Sequence, residues 1–310
     1  MVLREELRGY LKGPDAFFGI PAPESGEPDV GVLGVPYDLT SSYYPGCRFG
    51  PAAVRRATTR ERSHSQPLSV DVTPDREMVL LSESMTLEDI GDLELEGRVP
   101  EMAMYDISDA ATKLASRSSR LLFIGGDHFV TYPLVKGLKR GTRLNLGLIW
   151  LDAHADYYGD YGGLALSHAT TLRRIVDGGF VDAGRVVAFD MRAALSEHRR
   201  ELIQAGASVC FDHESFSSAI RELADRVDTV YMTVDLDVLR PDQVPGVSHP
   251  ESGGPDVTGL VRLIRDCFAS CSLRFADLVE LNPLLDSTGI ASVAARDIVK
   301  EILVGFSTQD

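Results

Sequence analysis

Six runs of strand length in this chain are apolar at nearly every position: VGVLGVP (Val30–Pro36), RLLFIGG (Arg120–Gly126), LGLIWLDA (Leu146–Ala153), RVVAFDM (Arg185–Met191), TVYMTVDLD (Thr229–Asp237) and FADLVELN (Phe275–Asn282). A strand that is apolar on both sides must be buried on both sides, which is the situation of a parallel sheet covered by helices. Between these runs lie amphipathic stretches of helical length: PAAVRRAT, MYDISDAATKLASR, TYPLVKGLKR, ATTLRRIVDGG, HRRELIQAG, SSAIRELADR, GGPDVTGLVRLIRDCFAS and ASVAARDIVKEILVGF. The alternation predicts an α/β protein with a central, mainly parallel sheet flanked by helices. No linker divides residues 1–310, so one domain is expected. Residues 1–29 read as an N-terminal extension, and residues 62–100, rich in Ser, Pro and acids, as an irregular excursion or an extra hairpin.

Composition narrows the partners. With 44% hydrophobic and 25% charged residues over 310 positions, the chain has the make-up of an ordered globular protein with a sizeable core. A formal net charge of −15 argues against nucleic acid or an anionic membrane as the main partner and suits a site that handles cations. The start MVLREELRGYLKGPD interleaves acids and bases where a secretion signal needs an apolar stretch, and no apolar run approaches the roughly 20 residues that span a bilayer. A cytoplasmic location is expected. Cys47, Cys210, Cys267 and Cys271 show no paired zinc-ligand spacing, and Cys267 and Cys271 lie four apart on a predicted helix, which implies packing and reduced thiols.

Ligands of open α/β sheets bind at the carboxyl ends of the strands. Three of the predicted strands end in charge: FIGGDHF at His128, LIWLDAHAD at Asp152, His154 and Asp156, and YMTVDLDVL at Asp235 and Asp237. If extended geometry persists, Asp152, His154 and Asp156 point the same way, as do Asp235 and Asp237. Each motif alone is also what a hydrogen-bonded strand end, a tight turn or a solvated loop looks like. Together, each following a strand, they gather carboxylates and imidazoles that would repel one another and lose hydration unless cations sat among them. Two divalent cations carry +4 against the −4 of Asp152, Asp156, Asp235 and Asp237. An oxygen-rich set with two imidazoles and no thiolate suits Mn²⁺ first, with Fe²⁺, Co²⁺, Ni²⁺ and Zn²⁺ compatible.

The set GGDHF, DAHAD and TVDLDVLRPDQVPG, with GCRFGPAAVR upstream and VELNP downstream, closely resembles the ureohydrolase superfamily of arginases, agmatinases, other guanidino-acid hydrolases and formimidoylglutamases. The likeness runs from about Val30 to Phe306. It implies a three-layer arginase-like α/β fold and a Mn²⁺-dependent homotrimer or homohexamer. By resemblance, His128 and Asp156 hold one metal, His154 and Asp237 the other, and Asp152 and Asp235 bridge them. The pair of cations activates water for attack on an amidine carbon. Glu280, in LVELNP, matches the glutamate that pairs with the substrate cation, and His168, in LSHATTLRR, matches the histidine that moves protons to the leaving amine.

The motifs divide over substrate. SHATTLRRIVDGGFVDAGRVV, GGDHFVTYPL and STGIASVAARDIVKEIL are similar to agmatinase and its guanidino-acid relatives. By contrast, PGVSHP stands where arginases and agmatinases have PGTGTP, and DLDVL followed by PGVS is similar to formimidoylglutamases. The loop YYGDYGGLAL lacks the asparagine and serine with which arginases grip an α-amino acid. The expected activity is therefore agmatinase-like hydrolysis of a small cationic guanidino compound, releasing urea and an amine or amino acid. Formimidoylglutamate hydrolysis to formamide and glutamate is the alternative. From a different class comes a non-catalytic metal-binding homologue, against which the presence of both His168 and Glu280 argues; a deacetylase on a related fold would use one zinc. Tyr158 and His249 are the candidate specificity residues. His249 stands between Pro245 and Pro250, whose restricted backbones favour a fixed side chain.

Overall fold

The apolar runs pair side by side in the computed structural model, which describes residues 16–66, 80–117 and 119–309. The strands are β1 (Val30–Val35), β2 (Leu87–Asp92), β3 (Arg120–Gly125), β4 (Leu146–Leu151), β5 (Val186–Phe189), β6 (Ser208–Cys210), β7 (Thr229–Asp235) and β8 (Leu273–Val279). They form one eight-stranded sheet in the order β2-β1-β3-β8-β7-β4-β5-β6, and every adjacent pair is parallel. Strands β7 and β8, late in the chain, insert between β3 and β4 and make the middle of the sheet.

Burial on both faces explains the continuous apolar runs. Leu122, Ile124, Ile149, Leu151, Met232 and Val234 pack on one face against the helices Gly50–Ala57, His213–Ala224, Val257–Ser270 and Ile290–Thr308. Leu121, Phe123, Leu148, Trp150, Tyr231 and Phe275 alternate with them and pack on the other face against the helices Pro100–Ala115, Thr131–Gly141, Thr171–Asp177 and Ser196–Gln204. Three layers result, as the sequence predicts. The helices begin where local chemistry allows. Asp212 accepts from the Ser215 amide at 2.9 Å and Asp256 from the Gly259 amide at 2.7 Å, satisfying backbone donors that a helix start leaves free.

Two strands differ from the sequence reading. The segment 62–100, read there as an irregular excursion, contains β2, which pairs in parallel with β1 at the sheet edge. Only Leu87 of β2 is buried, so no apolar run marks it; Arg55 closes this edge with ion pairs to Asp89 at 2.8 Å and Asp92 at 2.6 Å. Strand β6 has three residues and likewise no run to see. Residues 67–79 and 1–15 lie outside the described residues. Within the expected N-terminal extension, Phe17 and Phe18 are buried in the core and the Lys300 ammonium lies 4.9 Å from the Phe18 ring.

Ile149 sits mid-sheet, fully buried, in register with Val187 on β5 and Met232 on β7. Ile149→Ala should lower the unfolding free energy by about 2–5 kcal/mol in a denaturant titration. A loss under about 1 kcal/mol would mean that the core closes around the missing side chain.

Candidate metal centre

Four adjacent strands, β3, β8, β7 and β4, deliver the charged residues to one edge of the sheet. His128 follows β3, Glu280 follows β8, Asp235 ends β7, and Asp152, His154 and Asp156 follow β4. The groups converge through turns, and the extended alternation considered for the sequence does not persist. Strand β4 stops at Leu151, and Asp156 adopts a left-handed backbone with φ of 45°. Asp235 accepts from the Asp237 amide at 2.8 Å, capping a 3₁₀ turn over Leu236–Val238, and Asp152 accepts from the His154 amide at 2.6 Å. Glu280 is also left-handed, with φ of 65°. Non-glycine residues there cost of order 1–3 kcal/mol, a strain that the surrounding structure must hold in place.

Around His128 the arrangement is one that protons alone satisfy poorly. Its Nδ1 lies 3.1 Å from an oxygen of each of Asp152, Asp156 and Asp235, all buried. One ring nitrogen carries at most one proton, and neither Nδ1 nor Asp152 Oδ2 makes an aligned hydrogen bond. The second group turns on His154, whose Nδ1 lies 2.9 Å from Asp237 Oδ2 and 3.6 Å from Asp152 Oδ1. His128, Asp152 and Asp235 form one set able to hold a cation, and Asp152, His154 and Asp237 another. Asp152 thus gives one oxygen to each set, and Asp235 turns Oδ2 to the first while its Oδ1, like Asp152 Oδ1, accepts a backbone amide. Imidazole and carboxylate donors at this density fit hard or borderline divalent cations.

The charge strain shows in the titration behaviour without cations. Burial, then Asp237 and Asp152, hold Asp235 well above the usual carboxylate range, and burial and Asp152 push Asp156 up to about 6. For His128, burial favours the neutral ring, but the close carboxylates of Asp152, Asp156 and Asp235 outweigh it and raise its pKa.

Above these groups is a cavity of about 150 Å³. Glu280 and His168 both line it. Glu280 Oε1 accepts from the His128 amide at 2.8 Å and Oε2 from the Cys47 thiol at 3.3 Å; burial, then Asp127, push its carboxyl up to about 8. His168 Nδ1 lies 2.6 Å from the Thr40 carbonyl, which fixes the proton on Nδ1 and leaves Nε2 as the basic nitrogen. Burial and neighbouring His249 lower its pKa to about 4, so the ring is neutral at neutral pH. His249 also lines the cavity, stacked on His168 with centroids 5.1 Å apart, and its Nε2 is 3.1 Å from Ser42 Oγ. Tyr158 stands edge-on to His198 at 4.5 Å on the cavity wall.

Sequence motifs miss several residues of this site. Ser42, on the loop after β1, touches both His168 (3.4 Å) and His249 (3.1 Å). His198, from the helix Ser196–Gln204, lines the far wall. Neither follows a charged strand end, so no spacing points to it. Asp127 stands in the GGDH motif beside His128, and the fold turns it toward the loop after β1. Its Oδ2 accepts from the Thr40 amide at 3.1 Å and hydroxyl at 2.7 Å, and Thr40 in turn holds His168.

An open parallel α/β sheet with paired imidazole–carboxylate sets at its carboxyl edge defines a class of metal-binding α/β proteins. The Arginase family model matches residues 28–305, and the chain belongs to the arginase family. It is 31% identical over 287 residues to the agmatinase of Bacillus cereus, covering 92% of this chain and 94% of that protein. It is 29% identical over 284 residues to the guanidinobutyrase of Pseudomonas aeruginosa, with 89% and 85% covered. The structure superposes on proclavaminate amidino hydrolase from Streptomyces clavuligerus with a TM-score of 0.81 at 27% identity, covering 96% of this chain and 98% of that one.

Because Asp152 offers an oxygen to both sets, Asp152→Asn should reduce divalent-cation content further than His154→Ala, which touches one set. Elemental analysis after dialysis reads this directly. Equal cation content in the two variants would remove Asp152 from the shared position.

Proposed function

We propose that this protein hydrolyses a guanidino compound, releasing urea and an amine, with two divalent cations, Mn²⁺ by preference, held by His128, Asp152, His154, Asp156, Asp235 and Asp237. The observation that carries the reading is the cavity itself, which is lined by His128, Asp235, His154 and Asp237 of the two cation-ready sets and by Glu280 and His168, whose Nε2 is the basic nitrogen. The family membership and the agmatinase and guanidinobutyrase relatives support it. When bound, the cation pair supplies acidification of water, giving a nucleophile at neutral pH.

The chain's own groups account for the rest. A guanidinium entering the cavity meets Glu280, the lining carboxylate outside both cation sets and Asp156, and its charge favours the ionised carboxylate that burial otherwise resists. Glu280 cannot swing away, because the His128 amide and the Cys47 thiol each hold an oxygen. His168 Nε2 takes a proton during attack and returns it to the leaving nitrogen, while the Thr40 carbonyl steadies the imidazolium through Nδ1.

Among the described residues that line the cavity there is no Lys or Arg. A formimidoylglutamate, with two carboxylates, would meet imidazole, phenol and Ser42 hydroxyl donors but no cationic side chain, which favours the guanidino reading. The Tyr158, Tyr161 and Leu195 side chains offer aromatic and apolar surface to an alkyl tail. His249 is our candidate specificity residue; burial lowers its pKa, which favours a neutral hydrogen-bonding ring with no charge to repel an amine.

The test is a panel of guanidino and formimino compounds with Mn²⁺-loaded protein, assaying urea, ammonia and formamide. Urea release is the expected result; formamide without urea establishes the alternative, and no product from any compound points to a non-catalytic homologue. His168→Ala should lower kcat by about 10²–10⁴-fold with cation content unchanged. His249→Thr should alter the ranking of amine-ended against carboxylate-ended substrates by kcat/KM. The same ranking in both proteins would place specificity in the Tyr157–Leu166 loop.

A further inference from the structure

Strand β8 carries an aspartate where an apolar residue belongs. Asp277 is fully buried in the run LRFADLV, at the centre of the sheet, and takes no part in lining the cavity. A carboxylate there is costly unless hydrogen bonds replace its hydration. Three hydroxyl groups gather around it. Thr131 and Tyr231 each donate to Oδ2 at 2.6 Å, and Thr233 stands beside it as its register partner across β7 and β8.

Thr233 faces two ways, because its Oγ1 is also 3.0 Å from His128 Nε2. The opposite ring nitrogen, Nδ1, is the one that faces Asp152, Asp156 and Asp235. A cation held there needs the Nδ1 lone pair, so the ring proton belongs on Nε2 and donates to Thr233 Oγ1. The Thr233 proton is then free to turn toward Asp277, its register partner, whose Oδ1 has no aligned partner of its own. Trp150 stacks on the same ring, centroids 4.2 Å apart and planes 12° from parallel. The stack sets the plane of the imidazole, and the hydrogen bond sets its rotation within that plane.

We propose that Asp277 is a positioning residue for the metal centre: through Thr233 it fixes the tautomer and orientation of His128. The inference rests on the cation site proposed at His128. A merely structural Asp277, tying Thr131 and Tyr231 into the sheet, would not need Thr233, and that difference decides the test.

Mn²⁺ binding to the metal-depleted full chain is measured by calorimetry, with retained manganese by elemental analysis and folding by circular dichroism, for the parent, H128A, T233V, T233S and D277N. Losing a group that orients a metal ligand typically costs 10–100-fold in affinity. T233V should therefore weaken Mn²⁺ binding by about 10–100-fold while leaving the Thr131 and Tyr231 bonds in place, and T233S, which keeps the hydroxyl, should restore it. D277N should fall in the same range, and the T233V/D277N double variant should be no weaker than the weaker single, as expected of two links in one chain. Should D277N fail to fold, T233V still tests the proposal, because an Asp277 that acts through Thr233 requires T233V to weaken binding. Parent-like affinity in T233V, with H128A weakened, overturns the role of Asp277 and leaves the cation site standing. Parent-like affinity in H128A overturns the site itself.

Discussion

Asp152, Asp156, Asp235 and Asp237 are buried together at one edge of an otherwise apolar sheet, and much of the site's architecture bears on making that tolerable. Carboxylates so placed demand positive charge nearby. Among the described residues lining the cavity, the side chains able to carry positive charge are imidazoles, and two of them, His128 and His154, belong to the cation-ready sets themselves, so the proposed cations would supply most of the compensation. The turns that end β4 and β7 spend backbone amides on Asp152 and Asp235, so that each carboxylate is aimed before any cation arrives. Such preparation limits the rearrangement that binding must drive.

The other half of the site hangs on the loop after β1. Asp127 grips Thr40, Thr40 fixes the tautomer of His168, Ser42 reaches both His168 and His249, and Cys47 touches Glu280. Asp38 in turn ties this loop to itself, accepting from the Gly46 amide at 2.6 Å and pairing with Arg48 at 2.8 Å. The residues proposed to handle protons and those proposed to hold cations thereby meet over one cavity, with the adjacent residues Asp127 and His128 linking the two groups.

Much of this is legible in the sequence where burial and charge follow one another along a strand. FIGGDH, LDAHAD and VDLD each run from core to edge within a few residues, and that abrupt change marks both the strand and its ligands. The edge strand β2 and the short β6 carry no such change and stay silent. Ser42 and His198 are brought to the cavity by tertiary packing alone, so their place cannot be read from neighbours in the chain. Asp277 lies in plain view inside a predicted strand; what the sequence lacks is the register that sets it opposite Thr233. The turn geometry of Asp156 and Glu280 is likewise hidden, since a left-handed backbone at a non-glycine residue has no signature in residue type.

The order of strands also bears on how the protein is made. Strands β3 and β4 leave the ribosome early but are not neighbours; β7 and β8, which separate them, come from residues 229–279. A growing chain that ends before β7 holds His128, Asp152, His154 and Asp156 but has no strand on which to join the two halves of the sheet. At synthesis rates of about 5–20 residues per second, that interval lasts several seconds. The full set of proposed ligands is therefore assembled late in folding, and until then the edges of β3 and β4 that β8 and β7 will pair are open strands that a chaperone, or a premature partner, can find.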